Sequence, residues 1–178
     1  GKTAVYSDTL EIATVTDSAL FLMYSEEDTL FLHADTLRSV PDTIEGEKLV
    51  MAFYDTRFFR TDIQGVCDSL IYFSKDSVVE LHYNPVIWSK VHQLSADKIN
   101  MKQNTNAPDE IHLINNSFII SKLDSGRFDQ IKGRDMVGYI SDNQLTSIDV
   151  NGSGQSLYYA REDTSIIGLN KAESSRIA

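Results

Sequence analysis

A small residue, two polar residues and usually an apolar one recur down the chain. The copies are Ala34-Asp35-Thr36-Leu37, Cys67-Asp68-Ser69-Leu70, Ala96-Asp97-Lys98-Ile99, Gly133-Arg134-Asp135-Met136 and a worn Ala172-Glu173-Ser174-Ser175. Successive small residues stand 33, 29, 37 and 39 positions apart. From Cys67 onward each copy follows an apolar run: Phe58-Phe59, Val86-Ile87-Trp88, Phe118-Ile119-Ile120 and Leu157-Tyr158-Tyr159. The small residue comes 8, 8, 13 and 13 positions after the end of its run. Two registers that agree over four units mark an internal repeat. A period of this length belongs to a stacked array, in which a unit buries its apolar face only against its neighbours. The expectation is one domain over 1–178, with units near 20–48, 49–78, 79–110, 111–144 and 145–178.

The units read as strands. Leu30, Leu32 and Ala34 alternate with Phe31 and His33, and Val79, Leu81 and Tyr83 alternate with Glu80 and His82. That is a period of two, and no window of a dozen residues carries a helical stripe. A tripeptide Asp-Ser/Thr-apolar punctuates the pattern at Asp8, Asp28, Asp35, Asp42, Asp68 and Asp76. Asp accepts hydrogen bonds from its own local backbone and favours turns, whereas Thr and Val favour strands. Each tripeptide therefore reads as a last turn residue and the first residues of a strand. Asn104–Asn106, Ser125-Gly126 and Asn151-Gly152-Ser153-Gly154 read as hairpin connections. The fold class expected is all-β, and at two strands per unit each unit is a long antiparallel hairpin.

Strict alternation suits a sheet with one wet face. Val86-Ile87-Trp88 instead presents apolar side chains to both faces of its strand, which requires a second apolar surface. A long, narrow sheet folded lengthwise on itself, with an apolar crease, supplies one. An ordinary sandwich core would give the same periodicity.

Bulk properties remove several functions. The formal net charge is −10, which opposes duplex nucleic acid and anionic membrane surfaces. One cysteine, Cys67, allows no internal disulfide. It occupies the small position of its unit, so it reads as a buried small side chain and not as a nucleophile. No stretch reaches the roughly 20 apolar residues of a helical span. The chain opens Gly1-Lys2-Thr3-Ala4 without Met, and a signal peptide is expected to have been removed.

The stretches "HYNPVIWSKVHQLSADKINM" (82–101), "FDQIKGRDMVGYISDNQL" (128–145) and "VNGSGQSLYYAREDTSIIGLNKAESSRI" (150–177) resemble the OstA/LptA family, the periplasmic lipopolysaccharide-transport proteins of Gram-negative bacteria. The likeness lies in a Pro-Val-x-Trp strand followed by Gln-Leu-x-Ala-Asp-x-Ile, and it runs from about residue 28 to the end. The aromatic content and the two longer units from 96 on depart from a minimal member. The resemblance implies an elongated antiparallel β-jellyroll, folded like a taco, that holds lipid A acyl chains. It further implies a periplasmic location and end-to-end stacking, with itself or with transport proteins of the same fold. On that reading the repeat-equivalent residues Phe58, Val86, Trp88, Phe118, Ile120 and Tyr158 line the lipid site. Acyl burial would dominate recognition, with local help from Lys90, Lys98 and Lys102.

No catalytic, metal or cofactor site is expected. His33, His82, His92 and His112 lack zinc-ligand spacing. The adjacent carboxylates Glu26-Glu27 and Asp109-Glu110 fall in turn-like segments, and nothing singles out a catalytic pair. Asn151–Gly154 has neither the Lys nor the following helix of a phosphate cradle. Two further functional classes fit an all-β chain: a carbohydrate-binding module whose exposed aromatics stack on sugars, and a structural protein that pairs through its end strands.

Overall fold

A computed structural model describes residues 1–24, 28–42, 46–142, 144–163 and 165–177. Among them every regular element is a strand: β1 (Thr3–Ser7), β2 (Ile12–Thr16), β3 (Ala19–Tyr24), β4 (Thr29–Ala34), β5 (Thr36–Pro41), β6 (Lys48–Arg60), β7 (Ile63–Phe73), β8 (Val78–His82), β9 (Val86–Ser89), β10 (His92–Ser95), β11 (Lys98–Lys102), β12 (Asp109–Ile114), β13 (Ser117–Lys122), β14 (Phe128–Gly133), β15 (Asp135–Ser141), β16 (Gln144–Glu162) and β17 (Ser165–Ile177). All pairings are antiparallel. The fold is all-β and jellyroll-like.

The pairings resolve into two ladders. The first wall runs β1, β2, β5, β6, β7, β8, β11, β12, β15, β16, β17. The second runs β3, β4, β6, β7, β9, β10, β13, β14, β16, β17. The long strands β6, β7, β16 and β17 belong to both. The others meet end to end across one line, as β2 with β3 or β8 with β9. The chain is thus a meander of long passes, each crossing the same crease. β6 and β7 lie within 48–73, β8 to β11 within 78–102, and β12 to β15 within 109–141.

Passes leaving the first wall turn the crease with two consecutive residues in the left-handed region: Asp17-Ser18, Tyr54-Asp55, Tyr83-Asn84, Asn115-Asn116 and Gly152-Ser153. Returning passes turn it without positive φ at a small residue followed by a polar one, namely Ala34-Asp35, Cys67-Asp68, Ala96-Asp97 and Gly133-Arg134. Asp and Asn tolerate the left-handed region better than other side chains. Backbone hydrogen bonds continue through the bend: Asp35 N donates to Tyr54 O, Asp97 N to Asn115 O and Arg134 N to Gly152 O.

The crease is lined by small side chains from both kinds of pass. Ala19, Ala34, Thr56, Cys67, Ala96 and Ser117 are all buried, and Ala19 faces Ala34, Thr56 faces Cys67 and Ser117 faces Gly133. A small lining lets two walls close on each other. Beyond it, Leu32, Phe58, Ile87, Leu94 and Ile119 of the second wall join Leu70, Leu81, Ile99, Leu113, Met136 and Val150 of the first in one core cluster. One face of a single sheet cannot bury itself, so the burial comes from the apposed wall. Leu81, Ile87, Ile99 and Leu113 are 0% exposed, and each such side chain contributes about 1.5–3 kcal/mol relative to exposure.

Two sequence readings need correction. Asn151–Gly154 is not a hairpin connection; it lies inside β16 at a register shift, where the pass bends over the crease. Asp-Ser/Thr-apolar does not mark one kind of place: Asp28 and Asp76 precede strands after hairpins, Asp35 and Asp68 sit at the crease, and Asp8-Thr9-Leu10 is wholly turn. Thr43 and Ile44 of the Asp42 copy lie outside the described residues.

Candidate functional site

In each three-residue apolar run the central residue points inward and its neighbours point out, because successive Cβ atoms alternate across a strand. Ile87 faces Gly65 and Leu94, and Ile119 faces Leu94 and Ile131, all on the inner side. Phe58, one of the six expected lipid-site residues, also points inward, across from Leu32. Val86, Trp88, Phe118 and Ile120 sit on the outer face of the second wall, two of them paired as Ile120–Gln93 and Gln93–Trp88. Tyr158 continues the inner row through its neighbour Leu157, which faces Gln130 on the outer side, but lies at the exposed rim. The six therefore divide between two faces and form no single stripe.

The inner trough changes character from crease to mouth. On the first wall the inward row next to the closed core includes Tyr72, Val79, Met101 and Ile148, half-buried and apolar. On the second wall the corresponding row begins at the apolar Ile63 and continues as Ser89, His92, Ser121 and Asp129. His92 Nδ1 and Ser121 Oγ are 2.8 Å apart, and Ser89 Oγ donates to the Asp62 carbonyl at 3.0 Å. Asp129 accepts from Tyr159 N at 2.9 Å and lies 3.8 Å from the Arg161 guanidinium. Burial, then the nearby Lys90 charge, lowers the pKa of His92 and favours neutral imidazole. From Ser89 to Asp129 the second wall is therefore polar where the first wall, from Tyr72 to Met101, is mostly apolar. This polar lip was not recognised in the sequence. Its signal was Ser89, His92 and Ser121 standing two positions from the inward Ile87, Leu94 and Ile119.

The trough is open at both ends of the meander. β3 has no partner beyond β4 and β17 none beyond β16 among the described residues. Leu20, Phe21, Leu22, Met23 and Tyr24 of β3 are all exposed, on both faces. An unpaired apolar edge of this kind is a ready template for another strand.

On the outer face Phe31, Phe59 and Trp88 surround a depression of about 280 Å³ with His33, Arg57, Gln64 and Val66. A second depression of about 350 Å³, polar, lies on the back of the crease at Asp97, Asn115, Asn116 and Arg134; there Asn116 donates to Asp97 and Arg134 to Asp135.

The remaining chemistry-bearing residues are occupied locally. His33 bonds Ser18, His82 bonds Glu80, and His112 bonds Glu110. Among the described residues no group of His, Cys, Asp and Glu could hold a metal ion. Burial, reinforced by Asp68, pushes the Cys67 thiol up to about 12, far from thiolate reactivity. Asp109 accepts from Asn104 N, while Glu26 and Glu27 lie outside the described residues. Among the described residues no helix is long and apolar enough to cross a membrane.

No protein-family model, curated protein or solved structure matches the chain.

Proposed function

We propose that this protein is a non-enzymatic carrier of an amphiphilic lipid of the lipopolysaccharide class. Acyl chains lie along the inner trough, and the chain acts in the periplasm as one element of a bridge to the outer membrane. The observation that carries the reading is the lengthwise crease with inward apolar rows running from one open edge strand to the other. The half-buried row Tyr72–Val79–Met101, just outside the closed core row Leu81–Ile99–Leu113, crosses successive passes in register. Burying an acyl chain of a dozen methylenes there is worth about 10 kcal/mol before ordering costs. The polar lip at Ser89, His92 and Ser121 supplies hydrogen-bonding groups where a headgroup would emerge.

Charge limits how the headgroup can be held. With a net charge of −10, an anionic head gains little from the protein as a whole. Lys98 is already paired with Glu80 at 2.9 Å, which leaves Lys90 and Lys102 of the three candidate lysines. Affinity on this reading is acyl-driven and weakly salt-dependent. The exposed edges β3 and β17 are the surfaces through which further copies, or transport proteins of the same fold, would extend the trough.

The test is to purify the protein from a Gram-negative envelope and to extract and identify bound lipid by mass spectrometry. An acylated glycolipid near one per chain is expected, and Met101→Glu should remove it without loss of the strand signal. Protein free of acyl lipid, with no uptake of added lipopolysaccharide, overturns the proposal.

A further inference from the structure

The outer aromatic platform is separate from the trough. Phe31 is 43% exposed, Phe59 50% and Trp88 36%, yet all three stand in register on one face, as Phe31–Phe59–Gln64–Trp88–Gln93. The Phe31 and Phe59 rings lie 6.4 Å apart and tilted by 55°. Strands are about 4.8 Å apart, so Phe59 and Trp88, two strands from each other, are separated by roughly 10 Å. The Trp88 indole N–H donates to Gln93 Oε1 at 2.9 Å, which fixes the ring against rotation. Its floor includes Gly65, whose missing side chain leaves room for the ring of Phe58 on the inner side.

The charges around this platform are spent on each other. Arg57 makes paired hydrogen bonds with Asp55 at 2.9 and 2.8 Å. His33 lies 2.8 Å from Ser18 Oγ. What remains is ring faces alternating with carboxamides. Ring faces carry negative electron density and attract polarised C–H bonds, and carboxamides both donate to and accept from hydroxyls. A neutral sugar offers a C–H face and a hydroxyl rim together. An acyl chain would leave the Gln64 carboxamide unmatched, and an anionic ligand would meet an Arg57 already paired with Asp55. We infer that the Phe31–Phe59–Trp88 face is a binding platform for a neutral, extended oligosaccharide, with rings of the chain stacked on Phe59 and Trp88 and hydroxyls met by Gln64 and Gln93. It does not depend on the lipid reading, since it uses the opposite face of the second wall.

The test uses maltohexaose, cellohexaose and mannohexaose as probes, read by isothermal titration and by the emission of Trp88, the single tryptophan. At least one probe should bind with a blue shift. Phe59→Ala and Trp88→Ala should each weaken that binding tenfold or more, Trp88→Phe should retain part of it, and Met101→Glu should leave it unchanged. Gln64→Ala, which removes no ring, should weaken binding about threefold and covers the case in which an aromatic variant fails to fold. No binding of any probe overturns the assignment. So does binding undisturbed by Phe59→Ala, or an emission shift produced only by an acyl detergent or by self-association of the protein.

Discussion

Phe58 and Gly65 face each other across β6 and β7, and the Phe58 ring fills the space that a side chain on Gly65 would take: a Cβ there would lie 2.5 Å from Phe58 Cζ and 3.0 Å from the Val86 carbonyl. Phe58 is buried and cannot swing clear. Gly65→Ala is therefore expected to destabilise the fold by about 1–3 kcal/mol, the range for overpacking a closed core. A urea midpoint unchanged from the parent would contradict this packing.

At the crease, Tyr54 has φ of 62° and an exposed side chain. A left-handed L-residue costs about 1–2 kcal/mol, and glycine escapes that cost while losing somewhat more chain entropy on folding. Tyr54→Gly should accordingly raise stability by a few tenths of a kcal/mol, and Tyr54→Ile should lower it by about 1–2 kcal/mol. Thermal melts of the two variants beside the parent check the sign of both. Equal melts would mean that the bend does not constrain this position.

Cys67 offers a test of burial that needs no mutation. With its pKa pushed up to about 12 by the surrounding core, the thiol should resist alkylation at neutral pH until the protein unfolds. Cys67→Ala should be nearly silent in function, and Cys67→Leu should cost about 1–3 kcal/mol. Rapid labelling of the native protein would place the thiol outside the crease.

The passes were legible because alternation and the repeat of small residues are local, additive signals. The small positions Ala34, Cys67, Ala96 and Gly133 do sit at the bend. Which face of each strand turns inward was not legible. Val86 and Trp88 are as apolar as Ile87, and only their cross-strand neighbours separate them: Ile87 meets Gly65 and Leu94, and Trp88 meets Gln64 and Gln93. Four of the six expected lipid-site residues were drawn from the outer parity for that reason. The pairs at Asp17-Ser18, Asn115-Asn116 and Gly152-Ser153 were a second crease signal. A left-handed pair also suits a hairpin, and only the pairing of distant passes tells the two apart.

His92 carries the pH dependence of the polar lip. Its pKa is lowered from 6.5 in the folded state, so the unfolded chain binds the proton more readily. Its contribution to stability is then fully present above 6.5 and declines as pH falls through the folded value. His92→Gln should flatten that part of the stability profile, measured as urea midpoints between about pH 5 and 7.5. A variant profile parallel to the parent's would assign the acid sensitivity to other groups.

The trough itself is tested most directly by neighbours on one strand. Met101 and Val79 face each other inside the mouth, and Lys102 and Val78, the next pair in the same two strands, face outward. A photoreactive residue placed at each of the four positions in turn, with lipopolysaccharide labelled on its acyl chains, reports which face meets the lipid. The account predicts crosslinks from 101 and 79 and none from 102 and 78. Equal crosslinking from all four, or crosslinks from the outer pair alone, would contradict it.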